Sequence, residues 1–205
     1  MNRAPPGQVR IIGGRLRGSR LPVPDLPGLR PSGDRPRETL FNWLQGEVAG
    51  RRVLDLFAGS GALGFEALSR GAAEAWLVER DPRQAQSLVD SARRLKVEQA
   101  HVVCADALQW LAQAVEPRFD LVFVDPPFAA GLWQQAAQAL APRLADQAWV
   151  YVEIAANGDF QAPPGWTLHR QGSTREARQW LFRTDSASAA ATLGDTVPGA
   201  GTEQA

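Results

Sequence analysis

Five apolar runs that alternate with helical segments, a glycine-rich turn closing the first run, and two short strand-like runs at the end together predict an α/β fold. The expected architecture is a mostly parallel, seven-stranded sheet covered on both faces, with a C-terminal antiparallel hairpin and a small N-terminal β-hairpin extension. Three regions follow from this: a basic hairpin arm and linker over 1–33, one α/β domain over 34–183, and a tail over 184–205.

Each element has its own signal. Residues 1–8 carry no periodic pattern and read as disordered. In the stretch 9–21, Arg alternates with apolar residues around Gly13 and Gly14, which predicts a hairpin with the glycines at its turn. Four prolines and two glycines make 22–33 an extended connection. Asp34 is a good N-cap, Pro36 falls in the tolerated first turn, and Leu40, Phe41, Trp43, Leu44 and Val48 recur at helical spacing, giving a helix to about residue 47. Strands are expected at 53–57, 75–78, 101–104, 121–124 and 149–154, and helices at 62–70, 82–95, 107–114 and 132–144. Residues 166–169 and 179–182 form the closing hairpin around the polar loop 171–175. The tail is Ala, Ser, Thr and Gly with almost no large apolar residue, a composition that cannot supply a core, and is expected to be disordered.

Composition narrows the class. A chain of 205 residues with 44% hydrophobic content supports one sizeable core. No apolar run approaches the roughly 20 residues of a membrane helix, and the N-terminal leucines are too interrupted for a signal peptide, so a soluble cytoplasmic protein without membrane partners is expected. A single cysteine, Cys104, excludes an internal disulfide and a cysteine metal site; its apolar neighbours Val102 and Val103 predict a buried thiol. His101 and His169 have no companions at ligand spacing, so no metal is expected. The net charge is zero, yet residues 1–52 hold ten Arg against four acids. Arg10, Arg15, Arg17, Arg20 and Arg37 therefore suggest a basic arm meeting a phosphate polymer. The seven tryptophans read as packing residues, Trp133 being a candidate for base stacking.

Chemistry gathers at two turns. Gly59, Gly61 and Gly64 fit G-x-G-x-x-G at a strand-to-helix turn, and Glu79 closes the next strand 20 residues after Gly59, where an acid can accept ribose hydroxyls. Asp55 would repel a pyrophosphate and suits a cationic nucleoside ligand, so S-adenosylmethionine fits better than NAD. Asp106 is placed either to accept from an adenine amino group or to cap the following helix. Beyond the fourth strand of the alternating series, Asp125-Pro126-Pro127-Phe128 leaves the sheet rigidly. Its carboxylate and a proline carbonyl can hold both hydrogens of a nucleobase amine, with Phe128 as a stacking face.

The glycine turn, Asp55, Glu79 and the D-P-P-F tetrapeptide resemble the amino-methylating S-adenosylmethionine-dependent methyltransferases. The stretches Arg10-Ile11-Ile12-Gly13-Gly14, Arg17-Gly18, Leu29-Arg30-Pro31-Ser32 and 34–44 (DRPRETLFNWL) narrow the resemblance to the RsmD family of 16S rRNA guanine-N2 methyltransferases, over about residues 8–183. Ser32 stands where that family is expected to have Thr, and Pro36 where it often has a β-branched residue. The resemblance implies a Rossmann-like class I methyltransferase fold. It implies that Asp55, Ala58, Gly59, Gly61 and Glu79 hold S-adenosylmethionine with Asp106 near its adenine, and that Asp125, Pro126, Pro127 and Phe128 hold the guanine. Arg37, Glu38 and Thr39 would border the pocket. The implied partner is 16S rRNA in the assembling small ribosomal subunit, met by a monomer. An adenine amino-methyltransferase and a non-catalytic RNA-binding assembly factor are the competing readings.

Overall fold

The computed structural model describes residues 7–23, 34–113 and 117–185. The expectations for residues 1–6, for the linker at 24–33 and for the tail beyond 185 lie outside them. β1 (Gln8–Arg10) and β2 (Arg20–Pro22) form a two-stranded antiparallel sheet, with Val9 opposite Leu21. The chain then runs α1 (Asp34–Trp43), β3 (Arg52–Asp55), α2 (Ala62–Ser69), β4 (Glu74–Glu79), α3 (Pro82–Leu95), β5 (Ala100–Cys104), α4 (Ala107–Leu111), β6 (Phe119–Val124), α5 (Trp133–Ala139), β7 (Leu144–Ala155), β8 (Trp166–Ser173) and β9 (Ala177–Thr184). The main sheet has seven strands in the order β5-β4-β3-β6-β7-β9-β8. The first five are parallel, and β9 runs antiparallel to both of its neighbours.

Alternation along the strands splits the core into two layers. Val53, Leu77, Phe123, Tyr151 and Leu181 face one side and pack with Leu40, Phe41, Phe65 and Leu88 of α1, α2 and α3. Leu54, Val78, Val122, Val152 and Phe182 face the other side and pack with Trp110 of α4 and Ala136 of α5. The direction of sheet order reverses between β3 and β6, where open α/β sheets bind ligands beyond the carboxyl ends of their strands.

The elements occur in the order the sequence predicts, but several local features differ. α1 ends at Trp43 and continues to Glu47 as turns, with Gln45 and Glu47 bonding three residues back. Pro142 breaks the helix expected over 132–144: α5 ends at Ala139, a 3-10 turn spans Ala141–Arg143, and β7 begins at Leu144. The closing hairpin turns at 174–176 rather than 171–175, because the Thr174 hydroxyl accepts the Glu176 and Ala177 N–H groups at 3.2 and 3.0 Å. Cys104 ends its strand at the open carboxyl edge and is exposed, not buried as its apolar neighbours suggest.

Gly13 and Gly14 lie in the connection between β1 and β2, where the Gly14 carbonyl accepts the Arg17 N–H at 3.2 Å, but turning the chain is not their only part. They lie against the C-terminal end of α2, where a Cβ on Gly14 would stand 1.9 Å from the Ser69 carbonyl oxygen, and Gly14 has φ +71°. The side chains of α2 secure this close approach. Glu66, fully buried, accepts the Ile12 and Gly13 N–H groups at 2.7 and 2.8 Å, and the Ser69 hydroxyl accepts the Leu16 N–H at 2.9 Å. Ser69 also donates to the Gly13 carbonyl at 2.5 Å, and its own carbonyl accepts the Arg15 N–H at 2.8 Å. From α3, Arg94 donates to the Arg20 carbonyl at 2.6 Å.

Candidate active site

One face of the sheet carries a row of polar side chains along the carboxyl edge. Side chains two residues apart on a strand share a face, and neighbouring strands lie about 4.8 Å apart. Val102, Leu77, Val53, Phe123, Tyr151 and Leu181 all pack on the face of α1, α2 and α3. Cys104, Glu79, Asp55, Asp125, Glu153 and Gln179, each two residues away, lie on that same face. The registers Glu79↔Cys104 and Glu153↔Gln179 set neighbours level, and Val124↔Val152 places Asp125, one residue past β6, opposite Glu153.

In the β3–β4 half, Asp55 is 2% exposed and accepts the Gly64 N–H at 2.9 Å. Burial pushes its carboxyl up to about 7, against the lowering effect of the Gly64 N–H, and the charge of Glu79 adds to the rise. A cation placed here would favour the ionised form. Glu79 accepts the Gly59 N–H at 3.0 Å and the Asp81 N–H at 2.8 Å, so it organises the glycine turn directly. Gln84, buried at the start of α3, donates to the Gly59 carbonyl from beneath. The Ala58 N–H donates to Val78 at 2.9 Å, and the Gly61 N–H returns to Ala58 at 2.7 Å. Gly61 enters α2 at φ +76°, where a Cβ would clash with Leu88 and Phe65 at 2.7 Å. Asp106 caps α4 by accepting the Leu108 and Gln109 N–H groups at 3.0 and 3.1 Å. Of its two readings the structure displays the cap.

In the β6–β7 half, Asp125 is half-buried, Pro126 buried, and Phe128 is held out with 37% of its surface exposed. Phe128 opens a 3-10 turn in which the Ala130 N–H occupies the Pro127 carbonyl at 2.8 Å. Trp133 stabilises a neighbouring loop: its indole N–H donates to the Asp159 carbonyl at 2.8 Å, and its ring lies close to Gly158.

Arg10, Arg15, Arg17 and Arg20 are exposed on the N-terminal extension. Arg37 is not available there. It is 1% exposed and donates to the Asp34 carboxylate at 2.6 Å and the Arg10 carbonyl at 2.9 Å, so it is an internal tie rather than a surface phosphate contact. The Asp34 carboxylate, expected as a helix cap, thus pairs with Arg37 and, at 3.5 Å, with Arg10. Sequence reasoning missed two acids, Glu66 and Glu153. Each stands alone among apolar neighbours, and burial of a charge in such a run calls for partners. No cluster of His, Cys, Asp and Glu suited to a metal ion occurs among the described residues, and none of their helices is long and apolar enough to cross a membrane.

Comparison with known proteins agrees with this geometry. The family described as "Conserved hypothetical protein 95" matches residues 9–183. The chain is 47% identical over 188 residues to "Ribosomal RNA small subunit methyltransferase D" of Escherichia coli (strain K12), covering 90% of this chain and 94% of that one. It is 44% identical over 173 residues to the protein of the same name from Haemophilus influenzae, covering 82% and 90%. The solved structure described as "Putative methyltransferase yhhF from Escherichia coli" superposes with a TM-score of 0.80 at 45% identity, over 87% of this chain and 99% of that one. An RNA methyltransferase from Salinibacter ruber, solved in complex with S-adenosyl-L-homocysteine, shares the fold at 15% identity, with a TM-score of 0.59 over 85% and 100% of the two chains. The similarity spans both halves of the polar row and the extension docked on α2, and with it the chain belongs to the ribosomal RNA small subunit methyltransferase D family.

Proposed function

We propose that this rRNA methyltransferase transfers a methyl group from S-adenosylmethionine to the exocyclic 2-amino group of one guanine in 16S rRNA, on the assembling small ribosomal subunit. The observation that carries the reading is the placement of Asp125, Pro126 and exposed Phe128 one strand from Asp55, at the point where the sheet order reverses. The names of the related proteins support an rRNA substrate.

The residues fit the donor. Asp55 and Glu79 supply carboxylates for an amino group and for ribose hydroxyls, and Glu79 also fixes the turn 58–61 by accepting the Gly59 N–H. When bound, S-adenosylmethionine supplies an electrophilic methyl group on a sulfonium. Everything else falls to the chain. Phe128 stacks on the base after it leaves its own stack. Asp125 and a proline carbonyl accept the two amine hydrogens; since Pro127 is engaged by Ala130, Pro126 takes this role. An aromatic amine is a weak nucleophile because its lone pair is delocalised into the ring. Holding both hydrogens out of the ring plane localises that pair and aims it across the short gap toward the β3 side, so positioning supplies most of the rate. The proton shed by the methylated amine passes to solvent. Arg10, Arg15, Arg17 and Arg20 contact rRNA phosphates.

The test is mass spectrometry of 16S rRNA fragments from a strain lacking this gene, with and without the gene restored. One N2-methylguanosine should disappear and return. An unchanged complement of N2-methylguanosine in the deletion strain refutes the reading.

A further inference from the structure

We infer that Glu153 reads the ring N1–H of the target base and so selects guanine over adenine. The inference rests on the reading that Asp125 holds the base's amine, and it adds what the tetrapeptide lacks, since those four residues would hold an adenine amine equally well.

Three observations carry it. First, Glu153 is the neighbour of Asp125 on the next strand and the same face, in the register continued from Val124↔Val152. The Tyr151 phenol, two residues below, lies near both: its pKa is driven well above the ordinary phenol value by burial, then by the charges of Glu153 and Asp125. Second, Glu153 is held in one orientation at 7% exposure. Its Oε2 accepts the Tyr151 hydroxyl at 2.5 Å and the Gln179 side-chain N–H at 2.9 Å, both in buried surroundings. Both bonds fall on one oxygen, and a carboxylate has acceptor capacity on the other as well. Third, Gln179 reaches the surface of a cleft of about 430 Å³, lined also by Arg35, Pro36 and Thr39 of α1 and by Gly172, Ser173 and Thr174 of the β8–β9 hairpin. Gln179 thus connects the cleft to this carboxylate, to which its side-chain N–H donates.

The chemistry discriminates. Beside its 2-amino group, guanine carries a protonated N1, a donor suited to a carboxylate. The ring nitrogen beside adenine's 6-amino group is an unprotonated acceptor, and it would meet the Glu153 carboxylate lone pair to lone pair. Leaving such a buried acceptor unpaired is costly. Tyr151 and Gln179 are positioning residues: they spend their donors on Glu153 and keep its carboxylate turned to the base.

The test compares small subunits reconstituted from 16S rRNA carrying either guanine or 2-aminopurine at the methylated position. 2-Aminopurine keeps the 2-amino group and lacks the N1–H. The wild-type enzyme should prefer guanine in kcat/KM by roughly tenfold to a hundredfold, the range of a hydrogen bond to a charged group. In Glu153→Gln the amide can donate to the unprotonated N1, so the preference should collapse toward unity, with binding of S-adenosylhomocysteine unchanged by calorimetry. A purely structural role would lower both substrates equally and leave the ratio as in wild type, which overturns the inference. Equal rates on the two bases by the wild-type enzyme overturn it independently of any variant. Asp125→Ala separates the two levels: inactive on both bases, it leaves the amine reading standing whatever Glu153 does, whereas full activity would remove that reading itself.

Discussion

Replacing Gly14 by alanine should undock the N-terminal extension. The new Cβ would lie 1.9 Å from the Ser69 carbonyl oxygen and 2.3 Å from its carbon, while Gly14 sits at φ +71°. α2 cannot yield, because all of its residues are buried between the sheet and its neighbours. The extension must therefore lift, losing the Arg15 N–H bond to Ser69, the Leu16 N–H bond to the Ser69 hydroxyl and the bond from that hydroxyl to Gly13. At about 1 kcal/mol net per bond the loss is about 3 kcal/mol, and a left-handed alanine costs about 1 kcal/mol more. The Ser69 contact alone thus loses about 4 kcal/mol, and full undocking also gives up the Ile12 and Gly13 N–H bonds to Glu66. Limited trypsin digestion reads this directly: cleavage after Arg10, Arg15, Arg17 and Arg20 should accelerate by at least tenfold, while the urea midpoint of the main domain shifts little. Unchanged cleavage rates at those arginines would refute the docking argument.

Three further outcomes are expected. Substituting Arg10, Arg15 and Arg17 together by Gln should weaken rRNA binding and flatten its salt dependence by about 0.7 in the log–log slope per lost phosphate contact, as counterion release requires; identical slopes in a filter-binding titration would remove these arginines from the interface. Asp55 has its folded pKa raised from 3.8 to about 7, so the native state holds a proton that the unfolded chain releases. Stability from this group is accordingly present below about pH 4 and lost as pH rises toward 7, while affinity for a cationic donor should rise over the same window with proton release; Asp55→Asn should flatten both profiles, measured by urea titration and calorimetry across pH. Cys104, exposed at the carboxyl edge in register with Glu79, should react with iodoacetamide in the free enzyme and be shielded by S-adenosylhomocysteine. Equal labelling with and without that ligand would place the adenosyl moiety elsewhere.

The order of elements was legible because near-continuous apolar runs, glycine breaks and Pro82 after Asp81 are local signals, and α3 occurs with the expected bounds. The glycine turn with Glu79 was equally local, since both lie within one strand-helix-strand unit. What failed was long-range. Gly13 and Gly14 read as a turn and nothing more because nothing nearby announces Ser69, over fifty residues later. Arg37 read as surface charge because its environment is built from Asp34, the Arg10 carbonyl and α2, and Cys104 read as buried because apolar neighbours say nothing about where a strand ends at an open edge. Glu153 was visible as a lone acid in the apolar run 149–154, but its meaning depends on the register that sets it beside Asp125.

The bonds that hold the extension also impose an order on assembly. Ile12, Gly13 and Leu16 take partners 53 to 56 residues further along the chain, and the Arg20 carbonyl waits for Arg94, 74 residues away. During synthesis the arginine-bearing segment therefore emerges before any of the surfaces it docks on exist. It reaches its place only after α2 and α3 have folded, so the first part made is among the last to be secured. A nascent chain stalled short of α2 would expose those arginines unanchored, close to the ribosome's own RNA.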